Sequence, residues 1–372
     1  MGAFSMAGNT PLVVQPMIVG AMVDLLGLTE RQAGILASVE LTGVTVAILV
    51  LIGVVSHARR VALGVFAVSA IVTANVLTCF VHEFAWLVPL RLLSGVGAAA
   101  AFCVFLNMAS SREQPEEIFA IVNAISIAYS GLLTLVTPAI LKAAGLAGIM
   151  LTLSFITLLA LATIPWIRVL GSGRAASRTL SMATVPVSIL PLLAMMLLLY
   201  TGHGAIWAYQ ERIGTAAGLS PHTIGMWIGL SMLFGGVGGS LLARILGMSI
   251  GRVWPQFLSL GASVLAVLLL VLTLTPLAFG MACTLIAFSW FYGLPYQMGL
   301  LAARDPKGRV ALAGVMMSTG GMALGPGIAA VFLVGHAHWP IGVFAGTCYL
   351  CALAIAAPSA SNTPLLAEQE AG

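Results

Sequence analysis

Long apolar stretches alternate with short polar connections along nearly the whole chain. Twelve of them reach the roughly 20 residues that a helix needs to cross a bilayer. They lie at about 3–25, 33–55, 61–81, 86–109, 117–141, 147–167, 185–209, 222–243, 253–274, 277–301, 311–334 and 339–357. The first is the least regular, because Asn9, Pro11, Gln15 and Pro16 interrupt it. Such residues are tolerated in a spanning helix where neighbouring helices satisfy the freed backbone groups. The longest connection, 168–184, is rich in Gly, Ser and Arg and divides the segments six and six. The pattern predicts an all-α membrane protein with 12 transmembrane helices. It places an N-terminal six-helix bundle at 1–167, a cytoplasmic linker at 168–184, a C-terminal bundle at 185–357 and a cytoplasmic tail at 358–372.

Composition supports this reading. The chain has 372 residues, 60% hydrophobic and 7% charged, whereas soluble domains are about one quarter charged. The N-terminus has no basic region and no clear cleavage site, so the first helix is read as starting almost at Met1 and not as a leader. Of the 15 Lys and Arg residues, 11 fall on one set of connections and three (Arg31, Lys142, Arg212) on the other, with Arg91 inside the fourth segment. The positive-inside rule then predicts a multi-pass protein of the inner (plasma) membrane, with both termini cytoplasmic. The five cysteines (Cys79, Cys103, Cys283, Cys348, Cys351) form no CxxC pair and no metal-ligand spacing. They read as small buried side chains. His336-Ala-His338 is too sparse for a metal site, and the acids of the 112–117 run (REQPEE) suit a solvated loop and the start of a helix. No metal, cofactor or nucleic-acid partner is expected.

Two halves of the chain resemble each other. GLTERQAGI at 27–35 recurs as GLSPHTIGM at 218–226. Pro138 and Pro326 are separated by a similar interval, as are Asp24 and Glu211. Parallel repeats of this kind are expected of certain transporters. Thr29 and Ser220 stand where N-caps of the second and eighth helices belong.

Arg91-Leu-Leu-Ser-Gly95-Val-Gly97 lies in the fourth segment. Read alone, Gly95-Val-Gly97-Ala-Ala-Ala100 matches a dinucleotide-binding turn, but the apolar segment continues through Asn107 without strand–helix alternation. The glycines are therefore read as close-packing positions on a membrane helix. With this R-x-x-x-G-x-G motif, the twelve segments and the repeat, the chain resembles the major facilitator superfamily over residues 1–357. The loop between the second and third helices carries a shortened form of that family's signature, Gly53-Val-Val-Ser-His57-Ala-Arg59-Arg60, without its acid. The helix-5 signature ends in Thr137-Pro138 instead of Gly-Pro, and a Gly325-Pro326 pair stands in helix 11. The resemblance implies two pseudo-symmetric six-helix bundles, the major facilitator fold. It also implies a substrate path lined by helices 1, 4, 7 and 10 with help from 2, 5, 8 and 11. Gly95, Gly97, Pro138, Gly325, Pro326, Arg59 and Arg60 are its expected gating and packing residues.

Spacing identifies polar faces suited to that path. Helix 5 carries Asn123, Ser126, Ser130, Thr134 and Thr137, which read either as interhelical glue or as cavity lining. Helix 7 carries Tyr200, His203, Trp207 and Gln210, read as cavity lining or, for Trp207, as an interfacial aromatic. Helix 10 adds Trp290, Tyr292, Tyr296 and Gln297 beside Pro295. Asn123, Ser130, Tyr200, His203, Trp207, Gln210, Trp290, Tyr292 and Tyr296 are the expected substrate contacts. Glu40 and Arg91 lie well inside their helices, where a charge costs at least roughly 2.5–3.5 kcal/mol. At 1.5 Å per residue both sit roughly 8–10 Å below one surface. They are expected to pair, either as a proton-coupling site or as a static brace between helices 2 and 4.

No HExxH, GxSxG or paired-Asp motif and no ATP-binding loop appears. A non-enzymatic secondary transporter of a small organic solute is therefore expected, proton-coupled and exporting amphipathic or aromatic compounds. Uptake of an organic nutrient is the alternative, and a non-transporting receptor or scaffold is the alternative from another class.

Overall fold

The computed structural model describes residues 1–51, 55, 59–110, 115–165, 186–272, 275–304, 310–333 and 338–361. The expected linker at 168–184 and residues 362–372 of the expected tail lie outside the described residues, as do Gly53, His57 and His336.

Among the described residues the fold is helical throughout. Helix α1 has two pieces, Gly2–Val13 and Gln15–Leu26, bent by 46°. Then come α2 (Glu30–Leu51), α3 (Arg60–Thr78) and α4 (Phe84–Ala109). The stretch Pro115–Leu158 holds both α5 and α6, divided at Gly145, whose φ of 61° and ψ of −157° no helix accommodates. The second half contains α7 (Leu190–Ala216), α8 (Pro221–Leu246), α9 (Trp254–Leu272), α10 (Pro276–Arg304), α11 (Ala311–Phe332) and α12 (Trp339–Ser361). Among the described residues ten helices are long and apolar enough to cross a membrane, and the bent α1 makes eleven. Because the segment 117–163 carries two passes, the total is twelve. Residues 358–361, assigned by sequence to the tail, are helical and continue α12.

The bend in α1 follows from its sequence. Pro16 has no N–H to offer the carbonyl four residues back, so Leu12 loses its helical partner. Val14 leaves the helical region at φ −128° and ψ 26°. A second irregularity is a π turn at Met232–Val237 in the middle of α8.

In the first half α4 packs on α1, α2 and α3; in the second, α7 packs on α11 and α12, and α9 on α10 and α12. The halves meet through α1 on α7, α2 on α11 and α5 on α8. Gly95 brings α4 so close to α2 that a Cβ there would collide with the Glu40 carbonyl oxygen. Gly97 faces Ile71 on α3, and Gly325 faces the α7 backbone at Thr201. Pro326 frees the Met322 carbonyl, and Gly204 of α7 abuts it. Arg60, 1% exposed, donates through Nε to the Asn107 side chain and through Nη2 to its carbonyl, tying the start of α3 to the end of α4. Arg59 is exposed.

Candidate functional site

A small cavity lies between the halves, lined from α1, α5, α7, α8 and α10. One wall is polar: Asn9 on α1 and Asn123, Ser126 and Ser130 on α5. The facing wall is aromatic: Trp207 on α7 and Trp290 and Phe291 on α10, with Met232 of α8 beside them. No charged residue is among the described lining residues. The two indoles meet edge to face at 6.3 Å, and Trp290 stacks on Phe291 at 5.0 Å.

The bend in α1 forms part of this wall. The Trp207 indole N–H donates to the Leu12 carbonyl at 3.2 Å, the group that Pro16 leaves without its helical donor. Ser130 donates to the next carbonyl, Val13, at 2.9 Å. The Thr134 hydroxyl lies 3.2 Å from the same oxygen. Ser126 bonds Ser5 of α1 at 3.0 Å, and Asn9 donates to the Ser5 carbonyl at 2.9 Å. Hydroxyls of α5 and an indole of α7 thus satisfy backbone that a straight helix would satisfy itself.

The cavity is sealed on the arginine-poor side by contacts between the halves. Arg212 of α7 holds Asp24 of α1 through both nitrogens of its fork, at 2.8 and 2.7 Å, and also holds Glu211 at 2.5 Å. His338 lies 3.0 Å from Glu30, an ion pair when the ring is protonated. Tyr209 donates to the Glu30 carbonyl at 3.2 Å, and Ser38 donates to the Ala323 carbonyl. The repeated motif takes part from both halves. Gly34 is in contact with the Tyr209 ring of α7, and Gly225 is in contact with Pro138 of α5. Beneath them Gly131 and Gly229 let α5 and α8 touch backbone to backbone.

The structure brings Glu40 and Arg91 together inside the first half. Arg91 Nη1 is 3.5 Å from Glu40 Oε1, and the residues are 2% and 5% exposed. Arg91 Nη2 also reaches Thr78 at 2.7 Å, Asn75 Oδ1 at 3.2 Å and the Ala74 carbonyl at 3.4 Å, all on α3. The guanidinium therefore keeps three neutral acceptors besides the carboxylate.

The other expected contacts are spread more widely. Asn123, Ser130, Trp207 and Trp290 line the cavity. Tyr200 and His203 stand behind its aromatic wall: His203 bonds the Leu199 carbonyl at 2.8 Å and meets Trp290 at 6.4 Å and Tyr349 at 5.4 Å. Gln210 is 1% exposed and lies against the Cys283 thiol of α10, away from the cavity lining. Tyr292 and Tyr296 form a separate cluster with Ala243 at the end of α8, where Tyr296 donates to the Ala243 carbonyl at 3.3 Å. Residues 290 and 292 are about 200° apart around a helix, so the two groups cannot share a face. Asn9, Leu12, Met232 and Phe291 were not among the expected contacts. The irregularity around Pro11 and Pro16 was the available signal for the α1 residues, since broken helices mark binding regions in transporters.

No family model and no curated protein sequence matches this chain. Solved structures do match over almost its whole length. A crystal structure of the nucleoside transporter NupG aligns with a TM-score of 0.72 at 11% identity, covering 96% of each chain. The D323A mutant of NupG aligns with a TM-score of 0.69 at 12% identity. A bacterial homologue of the human drug peptide transporters PepT1 and PepT2 aligns with a TM-score of 0.72 at 13% identity, covering 99% of this chain and 98% of that one. At these identities the likeness establishes the fold. The chain has the major facilitator fold, as its sequence motifs imply.

Proposed function

We propose that this protein is a secondary transporter that moves a small, neutral, amphipathic or aromatic organic solute by alternating access. The observation that carries the reading is the two-faced cavity between the halves. Its amide and hydroxyl wall suits the hydrogen-bonding edge of a solute, and its indoles suit a flat apolar face. A phosphorylated or highly charged solute would call for basic side chains in the wall, and the described lining holds none. The cavity lies between two bundles closed against each other at one end only by separable contacts, as alternating access requires. The arginine-rich end is assigned to the cytoplasm, so the conformation is the one closed to the outside.

Within this reading Asn9, Asn123 and Ser126 orient the solute and Trp207, Trp290 and Phe291 stack on it. The Glu40–Arg91 pair is the proton-coupling site. Protonation of Glu40 releases a cation that Thr78, Asn75 and the Ala74 carbonyl still hold. The charge therefore changes without stranding Arg91. Solute exchange in proteoliposomes tests the transport reading: saturable counterflow of a neutral aromatic solute is expected, and its loss in a Trp290→Ala, Asn123→Ala variant. Flux that the variant leaves unchanged would refute it.

A second reading concerns substrate and direction. Two aromatic rings beside two amides also suit a nucleoside, whose base stacks while its sugar hydroxyls bond. NupG, whose fold this chain shares, is a nucleoside transporter. Competition by unlabelled nucleosides against the aromatic solute tests the nucleoside reading, and the direction of net accumulation in cells separates uptake from efflux.

A further inference from the structure

A second cavity, apart from the solute path, opens at the arginine-rich end of the second half. It lies between the starts of α7 and α9 and the ends of α10 and α12. Most of its wall is apolar, with Leu192, Met195, Phe257 and Ile355 prominent. Two features make it more than a packing defect. Arg304, the last residue of α10, lines it. Arg252 runs alongside, its Nε 3.5 Å from where a Cβ on Gly299 of α10 would stand. Among the described residues neither arginine has an ion-pair partner. The second feature is Gln256, a lining residue only 3% exposed. Its Nε2 donates to the Arg252 carbonyl at 3.4 Å, while its Oε1 receives no hydrogen bond from the described residues. A buried acceptor of this kind is costly unless a donor reaches it.

We propose that this groove binds an anionic glycerophospholipid whose headgroup carries hydroxyls, of the phosphatidylglycerol class. The apolar wall takes an acyl chain. The two guanidinium groups take the phosphodiester, which their planar forks match. A headgroup hydroxyl donates to Gln256 Oε1. Basic pockets between helices at the arginine-rich side of a membrane protein lie at the depth of anionic headgroups. Trp254, 73% exposed at the start of α9, marks the same interfacial layer. A choline headgroup has neither net negative charge nor a donor, and an ethanolamine headgroup lacks the net charge. Residues 362–372 follow α12 and contain Glu368 and Glu370, so they form the competing occupant that the test must exclude.

The full-length protein is purified and titrated with phosphatidylglycerol, phosphatidylcholine, phosphatidic acid and inorganic phosphate, reading bound lipid by native mass spectrometry and the thermal unfolding midpoint. Phosphatidylglycerol should bind at one site and raise the midpoint. Arg304→Gln and Arg252→Gln should each weaken it about fivefold, the factor expected for one basic residue near an anionic headgroup. Arg244→Gln, an exposed arginine on α8 outside the groove, should leave binding unchanged. Gln256→Leu should erase the preference for phosphatidylglycerol over phosphatidic acid. Equal binding of phosphatidylcholine, the same midpoint shift from inorganic phosphate alone, or arginine variants that bind as the parent does would each overturn the proposal. So would phosphatidylglycerol binding that appears only after residues 362–372 are removed, which would give the groove to the tail.

Discussion

Trp207→Phe isolates the hydrogen bond that joins the halves at the bend of α1. Phenylalanine keeps an aromatic ring against Trp290 but removes the donor that the Leu12 carbonyl receives at 3.2 Å. Pro16 provides no alternative donor, so the carbonyl is left buried and unpaired while the halves are together. When they part, water can reach it. The penalty of about 1–3 kcal/mol for an unsatisfied buried polar group therefore falls on one conformation. It corresponds to a shift of about 5–150-fold in the equilibrium between the two. The readout is the distance between spin labels at two exposed positions, Arg31→Cys near the start of α2 and His222→Cys near the start of α8, in a background free of native cysteines. The population with the arginine-poor end open should rise by at least fivefold in Trp207→Phe. Trp290 meets His203, Trp207 and Phe291, all of its own half, through its ring, so Trp290→Phe should leave that population near the parent value. An unchanged distribution in Trp207→Phe would refute the claim that this bond holds the closed state.

Further expectations follow from the same contacts. Glu40→Gln should abolish pH-driven accumulation while counterflow persists; full accumulation in the variant would make the pair a static brace. Arg91→Leu should be worse for stability, by about 3–5 kcal/mol, because it leaves Glu40 buried without its cation; thermal unfolding of the purified variants gives the comparison. Gly95→Ala should cost about 1–3 kcal/mol or more by forcing α4 away from the Glu40 carbonyl, seen as a lowered unfolding midpoint. Gly225→Leu should clash with Pro138 and hold the arginine-poor end open, read by the same spin-label pair.

The twelve passes were legible because each apolar stretch must hide its backbone in lipid, and length alone reveals that. The shared layer of Glu40 and Arg91 was legible for a similar reason, since a charge has few places to go inside a bundle. The aromatic wall was harder to read. Helix α7 is buried on every side from Leu199 to Gly214, so the stripe Tyr200–His203–Trp207–Gln210 gives a face without saying what it meets. Only Trp207 of the four reaches the cavity. On α10 the 100° step between residues separates Trp290 from Tyr292 and Tyr296, but grouping aromatics by proximity in sequence hides that. The α5 stripe suits either interhelical glue or cavity lining, and Ser126 and Ser130 serve as both, whereas Thr137 bonds the Leu133 carbonyl of its own helix. Ser130 lines the cavity while holding the Val13 carbonyl, a partner that exists only because α1 is broken. That break is visible as Pro11 and Pro16, which weaken the first segment as a span and at the same time mark the stretch of α1 that lines the cavity.

The cavity between the halves is proposed to carry a neutral solute across the membrane. Counterflow in proteoliposomes, run with a neutral nucleoside or aromatic solute beside its phosphorylated analogue, tests it most directly. Saturable exchange is expected for the neutral member only, with Asn123→Ala raising KM and the Trp290→Ala, Asn123→Ala pair removing the flux. Equal exchange of the phosphorylated analogue, or flux indifferent to both substitutions, would rule out this cavity as a neutral-solute path.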